Sequence, residues 1–411
     1  MLKTRFDLAS LMSRVRQEWH FVMATFAASG VGYLGSAGAP IIVGALIDAG
    51  LDTQQAGDLG TVELMTLALT STLVTPFVTS ISHRKLALGG ASVAAVGLLI
   101  SVMSETYFAM IVGRLITGAG SGLAISGANA AVAARKDATR IFALIWTMGG
   151  AITASLSAGL PSLVQGGNYP IGFGVLLVLC LAGLPFMVWM PPQPIGLDEP
   201  SAENQGEGSS GSGMDWSVFS PTALLALLGM FVYSVAEQAL WNFGYYIPVQ
   251  AGVPEEVVGG ILGVTVLMGL AGGLFAVWLG TRLGHVTPIV IGSLVSLAGR
   301  WIFISSATTE WVFVGGLLWG LGFYFVSPYQ IGLVAAIDRH GRVAVAAGGA
   351  MNFGYALGPA IGGRILQNLD ATAFLVVIVS ATLLSLFLIL PLAMKLERES
   401  RREPVAKPVA Q

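Results

Sequence analysis

Residues 107–134 form an apolar run that carries one charge, Arg114, and a close series of glycines, Gly113, Gly118, Gly120 and Gly122. About 20 apolar residues are enough to span a bilayer, so the run reads as a membrane helix. An arginine inside a span costs several kcal/mol unless it meets a partner or a wet surface, which marks it as a functional candidate. The glycines remove side-chain bulk and let a neighbouring helix approach closely. The stretch also has a twin. At an offset of 202 residues, Gly113, Leu115, Gly118 and Gly120 fall on Gly315, Leu317, Gly320 and Gly322. The same offset carries His83 onto His285, Arg140 onto Arg342 and Gln165 onto Gln367. A constant offset over three pairs of spans predicts an internal duplication, two parallel halves of six helices each. In the second copy Gly316 stands where Arg114 would, so the halves share a scaffold and differ in charge.

Composition places the whole chain in the same class. Only 10% of the 411 residues are charged, where a soluble protein carries roughly 25%, and 55% are hydrophobic. Net charge is -2, with no basic block of the kind that binds nucleic acid. The one cysteine, Cys180, lies in an apolar span and offers neither a disulfide nor a cysteine metal site. Residues 1–18 are polar and basic rather than apolar, so no cleavable signal is expected.

Twelve spans are predicted, at 20–47, 60–81, 86–103, 107–133, 140–163, 170–190, 221–247, 258–280, 286–306, 310–336, 342–367 and 371–394. Of the 20 lysines and arginines, all but Arg114, Arg300 and Arg364 fall in loops or termini on one side, and those three lie inside spans. By the positive-inside rule both termini are cytoplasmic, in the inner membrane. Residues 1–19 hold Leu8, Leu11, Met12, Val15 and Trp19 at helical spacing, which suits either an amphipathic helix on the cytoplasmic leaflet or a frayed tail. The expected organisation is that segment, a six-helix bundle over 20–192, a second over 221–394 and a cytoplasmic tail over 395–411. Between the bundles, residues 193–220 are acidic and rich in glycine and serine, as in a flexible tether.

Twelve spans, parallel halves, an acidic middle loop and termini on the inside resemble the major facilitator superfamily over nearly the whole chain. Gly113-Arg114 with the following glycines looks like that family's fourth-helix arginine motif. Gly354-Tyr-Ala-Leu-Gly358-Pro359-Ala-Ile-Gly362-Gly363 resembles the pattern that proton antiporters of the family carry in helix 5, here displaced to helix 11. The family's acidic loop signature between helices 2 and 3 is incomplete: Ser80 takes the acid's approximate place before His83-Arg84-Lys85, and Thr281 does so before Arg282-Leu-Gly284. The resemblance implies an all-α membrane fold in which helices 1, 4, 7 and 10 line a cavity, helices 2, 5, 8 and 11 join the halves, and the rest face lipid. Arg84, Lys85 and Arg282 are then the gating charges of the inner loops.

On that map, Arg114 is an anchor for a substrate anion, which a planar guanidinium grips with two prongs, or else a lock on neighbouring helices. Glu237 is the only acidic residue expected in mid-membrane, a candidate to take and release the coupling proton or else a permanently protonated acid. Gln238, Trp241 and Asn242 accompany it, and Tyr324 and Gln330 on span 10 and Tyr33 on span 1 extend a polar-aromatic substrate surface. Tyr245 and Tyr246 fit the cavity or an interfacial belt equally. Arg300 is expected to snorkel from lipid-facing span 9. Arg364 either pairs with Asp48 or Glu63 as an outer gate or meets a headgroup. Asn129, Asn352 and Tyr355 are candidate packing contacts between helices.

The leading reading is a proton-coupled secondary transporter of a small organic solute, an anion with an apolar or aromatic body, working as a monomer in the bilayer. Its rival is an exporter of drug-like or lipid-like amphipaths with Arg114 structural; a non-transporting receptor is the third. Without a nucleotide-binding loop, a metal cluster or paired mid-membrane carboxylates, no cofactor, metal or catalytic residue is expected, and an enzyme is disfavoured.

Overall fold

The computed structural model describes residues 8–78, 80–135, 137–191, 220–280, 282–337 and 342–402. The start of the N-terminal segment, nearly all of the expected tether and the end of the tail lie outside them. Every described regular element is helical. The long helices are α1 (Leu8–Asp48), α2 (Thr53–Val74), α3 (His83–Val102), α4 (Tyr107–Ala133), α5 (Ala138–Gly159) and α6 (Tyr169–Met187). They continue as α7 (Pro221–Phe243), α8 (Glu255–Leu279), α9 (Val286–Ser305), α10 (Thr309–Ala335), α11 (Arg342–Asn368) and α12 (Ala371–Arg402). A one-turn helix, Tyr246–Gln250, follows α7. Among the described residues ten of these are long and apolar enough to cross a membrane. The others, α2 and α11, have the length, at 22 and 27 residues, but carry more polar side chains, including Asp58, Glu63, Arg364 and Gln367. The long helices therefore match the twelve expected spans in order and place.

Boundaries follow from caps. Asp52 and Gln55 bond reciprocally, Gln55 N to Asp52 Oδ1 at 2.7 Å and Asp52 N to Gln55 Oε1 at 3.2 Å. That capping box starts α2 at Thr53, seven residues before the predicted span, and so draws Asp58 into the helix. Thr106 and Ser220 cap α4 and α7 through side-chain oxygens, with Pro221 at the first turn of α7. The predicted amphipathic segment is continuous with the first span, because α1 runs unbroken from Leu8.

The chain divides into two compact units. Unit 1 comprises Met1–Gly38, Val62–Ile152 and Tyr169–Ser210; unit 2 comprises Ala39–Thr61, Thr153–Asn168 and Gly211–Gln411. Unit 2 thus contains the end of α1, the start of α2 and the end of α5 together with α7–α12.

Inside each unit the duplicated glycines do the same job. A Cβ on Gly97, Gly113 or Gly120 would collide with Thr117, Ser101 and Ala94 across the α3–α4 contact. A Cβ on Gly299, Gly315 or Gly322 would collide with Trp319, Phe303 and Ser296 across α9–α10. Each pair of positions is again 202 apart. Gly118 lies against the carbonyl of Glu63, and its twin Gly320 against that of Thr265. In α11, Gly354 and Gly358 lie against the α7 backbone at Phe231, Val235 and Ala239. The antiporter-like pattern thus works here as close packing of α11 on α7.

Candidate functional site

In unit 1, α4 carries Arg114 into contact with α2 and α3. The Arg114 side chain is 3% exposed. Its Nη1 donates to Glu63 Oε2 at 2.8 Å, and Nε and Nη2 donate to Ser101 Oγ at 3.2 and 2.7 Å. The ring of Phe173, on α6, lies 4.3 Å from the guanidinium carbon. Ser101 donates its own proton to Gly97 O at 2.9 Å, so its lone pairs are free for the arginine. Glu63 takes the space where position 35 would carry a side chain: a Cβ on Gly35 would collide with its carboxylate.

Unit 2 has a second buried pair. Arg300, on α9, is fully buried and bonds Glu237 of α7 through Nη2. Its Nη1 donates to Thr382 Oγ1 of α12 at 2.8 Å, and the Tyr233 ring lies 4.6 Å from its guanidinium carbon. Trp319 of α10 donates its indole N–H to Glu237, 3.1 and 3.0 Å from the two carboxylate oxygens. Trp319 sits edge-on to Trp241 at 6.1 Å and to Phe303 at 5.3 Å.

These contacts correct three expectations. Arg300 does not snorkel, because its charge is neutralised inside the unit by Glu237. Glu237 is not the only mid-helix acid, since Glu63 is buried against Arg114. Arg364 pairs neither with Asp48 nor with Glu63: Nη1 donates to Asp58 Oδ1 at 2.6 Å and Nη2 to Oδ2 at 3.4 Å. That pair is partly solvated, with Arg364 50% and Asp58 26% exposed. Beside it, Thr53 N and Oγ1 approach Gln367 Oε1 at 3.1 and 3.0 Å, Thr53 Oγ1 also meets Gly363 O at 3.1 Å, and Ala360 N donates to Thr61 Oγ1 at 2.9 Å. Pro359 lacks an N–H, Gly57 abuts its carbonyl, and the two helices meet there almost backbone to backbone. The start of α2 is thereby clasped to α11.

The remaining predicted residues separate by unit. In unit 2, Gln238, Asn242 and Gln330 are buried, and Trp241 and Tyr324 are half-buried. Asn242 donates to Gln238 O at 2.9 Å, while its buried Oδ1 makes no hydrogen bond. Tyr324 packs against Gly269 of α8. In unit 1, Tyr33 is exposed and its ring lies 5.4 Å from Trp146 of α5. Tyr245 is no belt residue: it is buried against Gly44, and its hydroxyl reaches Glu255 Oε2 at 3.4 Å. Burial, reinforced by Glu255, raises its phenol above the usual range. Arg84 is half-buried and Lys85 exposed at the start of α3; Arg282 is exposed, over the Trp278 ring at 5.4 Å. Asn129 and Asn352 are exposed.

Ser101, Phe173, Asp58, Thr382 and Tyr233 were not among the predicted site residues, and Glu63 was named only as a possible partner of Arg364. One signal was available: spans with two acids and two bases in mid-helix, Glu63, Arg114, Glu237 and Arg300, are cheapest when the charges pair off within the fold.

The sequence profile of the Major Facilitator Superfamily matches residues 21–337. No curated protein sequence matches the chain. Among solved structures, a mutant form of the nucleoside transporter NupG is similar with a TM-score of 0.73 at 13% identity, over 90% of this chain and 99% of that one. A bacterial homolog of the human lysosomal transporter Spinster, inward-facing and unoccupied, gives 0.63 at 15% identity, over 93% and 97%. A POT family transporter in complex with 5-aminolevulinic acid gives 0.69 at 16%, over 92% and 96%. At such identities the likeness is one of fold. The profile match, which covers most of the chain, together with these folds and the apolar helices, shows that the chain belongs to the Major Facilitator Superfamily: a multi-pass membrane protein that moves small solutes by secondary transport and is not an enzyme.

Proposed function

We propose that this transporter is driven by protons and that Glu237 carries the coupling proton. The observation behind this reading is the asymmetry of its ion pair: Arg300 is sealed at 0% side-chain exposure, while the Glu237 side chain keeps 9%. The carboxylate is the partner a proton can reach. When Glu237 takes a proton its charge is lost and the hold of Arg300 on it weakens, while Arg300 keeps Thr382 of α12 and the Tyr233 ring of α7. The solute is a small organic molecule with an apolar or aromatic body, for which Gln238, Trp241, Asn242, Tyr324 and Gln330 of unit 2 are the candidate contacts. Arg114 already holds Glu63, which favours the lock over the anion anchor, and the reading needs no anionic solute. Asp58–Arg364 and the Thr53–Gln367 contacts form the gate of unit 2, and the termini lie in the cytoplasm.

The test begins with a thermal-shift panel of nucleosides, organic acids, short peptides and cationic amphipaths on the purified chain. A ligand at a hundredfold excess over its Kd stabilises by about 2.7 kcal/mol. The best stabiliser, radiolabelled, should accumulate in proteoliposomes under a pH gradient and leave when a protonophore is added. Glu237→Gln should abolish accumulation and keep exchange of labelled for unlabelled solute. Accumulation by the variant at the wild-type level would refute the role of Glu237.

A further inference from the structure

We propose that Trp319 is a positioning residue for the proton step: its indole N–H holds the Glu237 carboxylate ionised and links that carboxylate to the solute surface at Trp241. The inference rests on the reading of Glu237 just given and deepens it, since it names what ties the proton to the solute.

The indole is placed from its backbone outward. A Cβ on Gly299 would fall 2.1 Å from Trp319 N, so α10 lies directly on α9 at this residue and its main chain has no room to shift. The residue is 1% exposed. A buried indole N–H needs an acceptor, and a backbone carbonyl would suffice. Here it is given to an acid. Trp319 Nε1 lies 3.1 and 3.0 Å from the two Glu237 oxygens, while Arg300 of α9 bonds Oε2 of the same carboxylate. The helix packing does not require the tryptophan. At the 202-residue offset Trp319 falls on Thr117, and a Cβ on Gly97 would fall 2.4 Å from Thr117 N, an equally close contact made without an indole.

Two rings steady the indole. Phe303, fully buried, lies 5.3 Å away with its plane at 61°, and Trp241 lies 6.1 Å away at 60°. Trp241 is half-buried, and it follows Glu237 by four residues on α7, on the same helix face and among the candidate solute contacts. Glu237, Trp319 and Trp241 thus form a short chain from the acid to the solute surface. An N–H donated to a carboxylate favours its ionised form. A solute ring that shifts Trp241 therefore changes how readily Glu237 takes its proton, and by linkage the proton changes how tightly the solute is held. The other charged and titratable groups around the acid are Arg300 and the phenols Tyr233, Tyr324 and Tyr355. The step balances simply: one proton from water joins a Glu237 carboxylate oxygen, and the bonds it accepted from Trp319 Nε1 and Arg300 Nη2 weaken.

The assay needs no solute. Infrared difference titration of the purified full chain reads the carbonyl stretch of a buried carboxyl as it gains its proton, and the Glu237 band is the one lost in Glu237→Gln. Trp319→Phe keeps a ring and removes the donor. The midpoint of that band should then move up by about one pH unit, the tenfold in proton affinity that a hydrogen bond to a charged group gives at the low end of its range. Where Trp319→Phe does not fold, Trp319→Met, a flexible chain without an N–H, takes its place. Trp241→Ala should move the midpoint the same way, and with Trp319→Phe also present it should add nothing. A Glu237 band that keeps the wild-type midpoint in the Trp319 variant would overturn the proposal. So would a Trp241→Ala shift that is absent, or that adds in full to the shift of Trp319→Phe. Those outcomes leave Glu237 as the proton carrier, whereas a wild-type protein with no Glu237 band would refute that reading and this inference with it.

Discussion

The Glu237–Arg300 pair allows a prediction that separates an energetically coupled pair from two independent polar residues. Arg300→Met removes a guanidinium that is fully buried and leaves the carboxylate with the Trp319 indole as its remaining donor. Leaving one charge of a buried pair uncompensated costs about 3–5 kcal/mol. Glu237→Met strands the guanidinium on Thr382 and the Tyr233 ring, at a similar cost. With both residues replaced by methionine no buried charge is left, and a buried pair exchanged for apolar residues is often neutral. What remains is the Trp319 N–H without its acceptor, worth about 1–3 kcal/mol. The double variant should therefore lie about 1–3 kcal/mol below wild type, well short of the sum of the singles, with a coupling energy of at least about 3 kcal/mol. Reversible unfolding in mixed micelles, followed by circular dichroism on all four proteins, measures it. A double variant whose loss equals the sum within about 0.5 kcal/mol would show that the pair is not coupled.

Three further outcomes are expected. Gly97→Ala and its twin Gly299→Ala should each lose about 1–3 kcal/mol by overpacking, while Gly89→Ala, which has open space around its added Cβ, should not; equal stability of all three in the same unfolding assay would contradict the close helix contacts. Asp58→Asn should cost less than about 1 kcal/mol because the pair is partly solvated, yet it should speed thiol labelling of a cysteine placed at buried Thr53; an unchanged labelling rate would remove Asp58 from the gate. A cysteine at Ser209 should react only with membrane-permeant reagents in intact cells and one at Gly166 with impermeant ones as well; the reverse pattern would invert the topology.

Span positions and the duplication were legible because both follow from local chemistry. Twenty apolar residues identify a membrane helix wherever its neighbours lie, and a repeated glycine marks a close helix contact in both copies. Gly97 and Gly299 bear this out, each abutting a backbone nitrogen 202 residues from the other's. The family likewise rests on features that survive without tertiary knowledge, the number of spans and the arginine with its glycines in α4. Arg114 itself was singled out correctly as a buried charge.

Its partner was not legible, and the reason is physical. A run of hydropathy sets where a helix crosses the membrane but not which way it is rotated, and a rotation of a few tens of degrees decides whether a side chain meets lipid or protein. Arg300 looked lipid-facing from its span number, yet it turns inward to Glu237. Asp58 was placed beyond the helix and Glu63 in its first turn because hydropathy alone starts the span at residue 60. The Asp52–Gln55 capping box adds two turns, which brings Asp58 onto α2 and puts Glu63 near its middle. The sequence by itself determined how many helices cross the membrane and that their architecture is repeated. Only the tertiary structure decided the pairing of charges, since an ion pair depends on angle and distance between residues 51, 63 or 306 positions apart, and no local pattern encodes that.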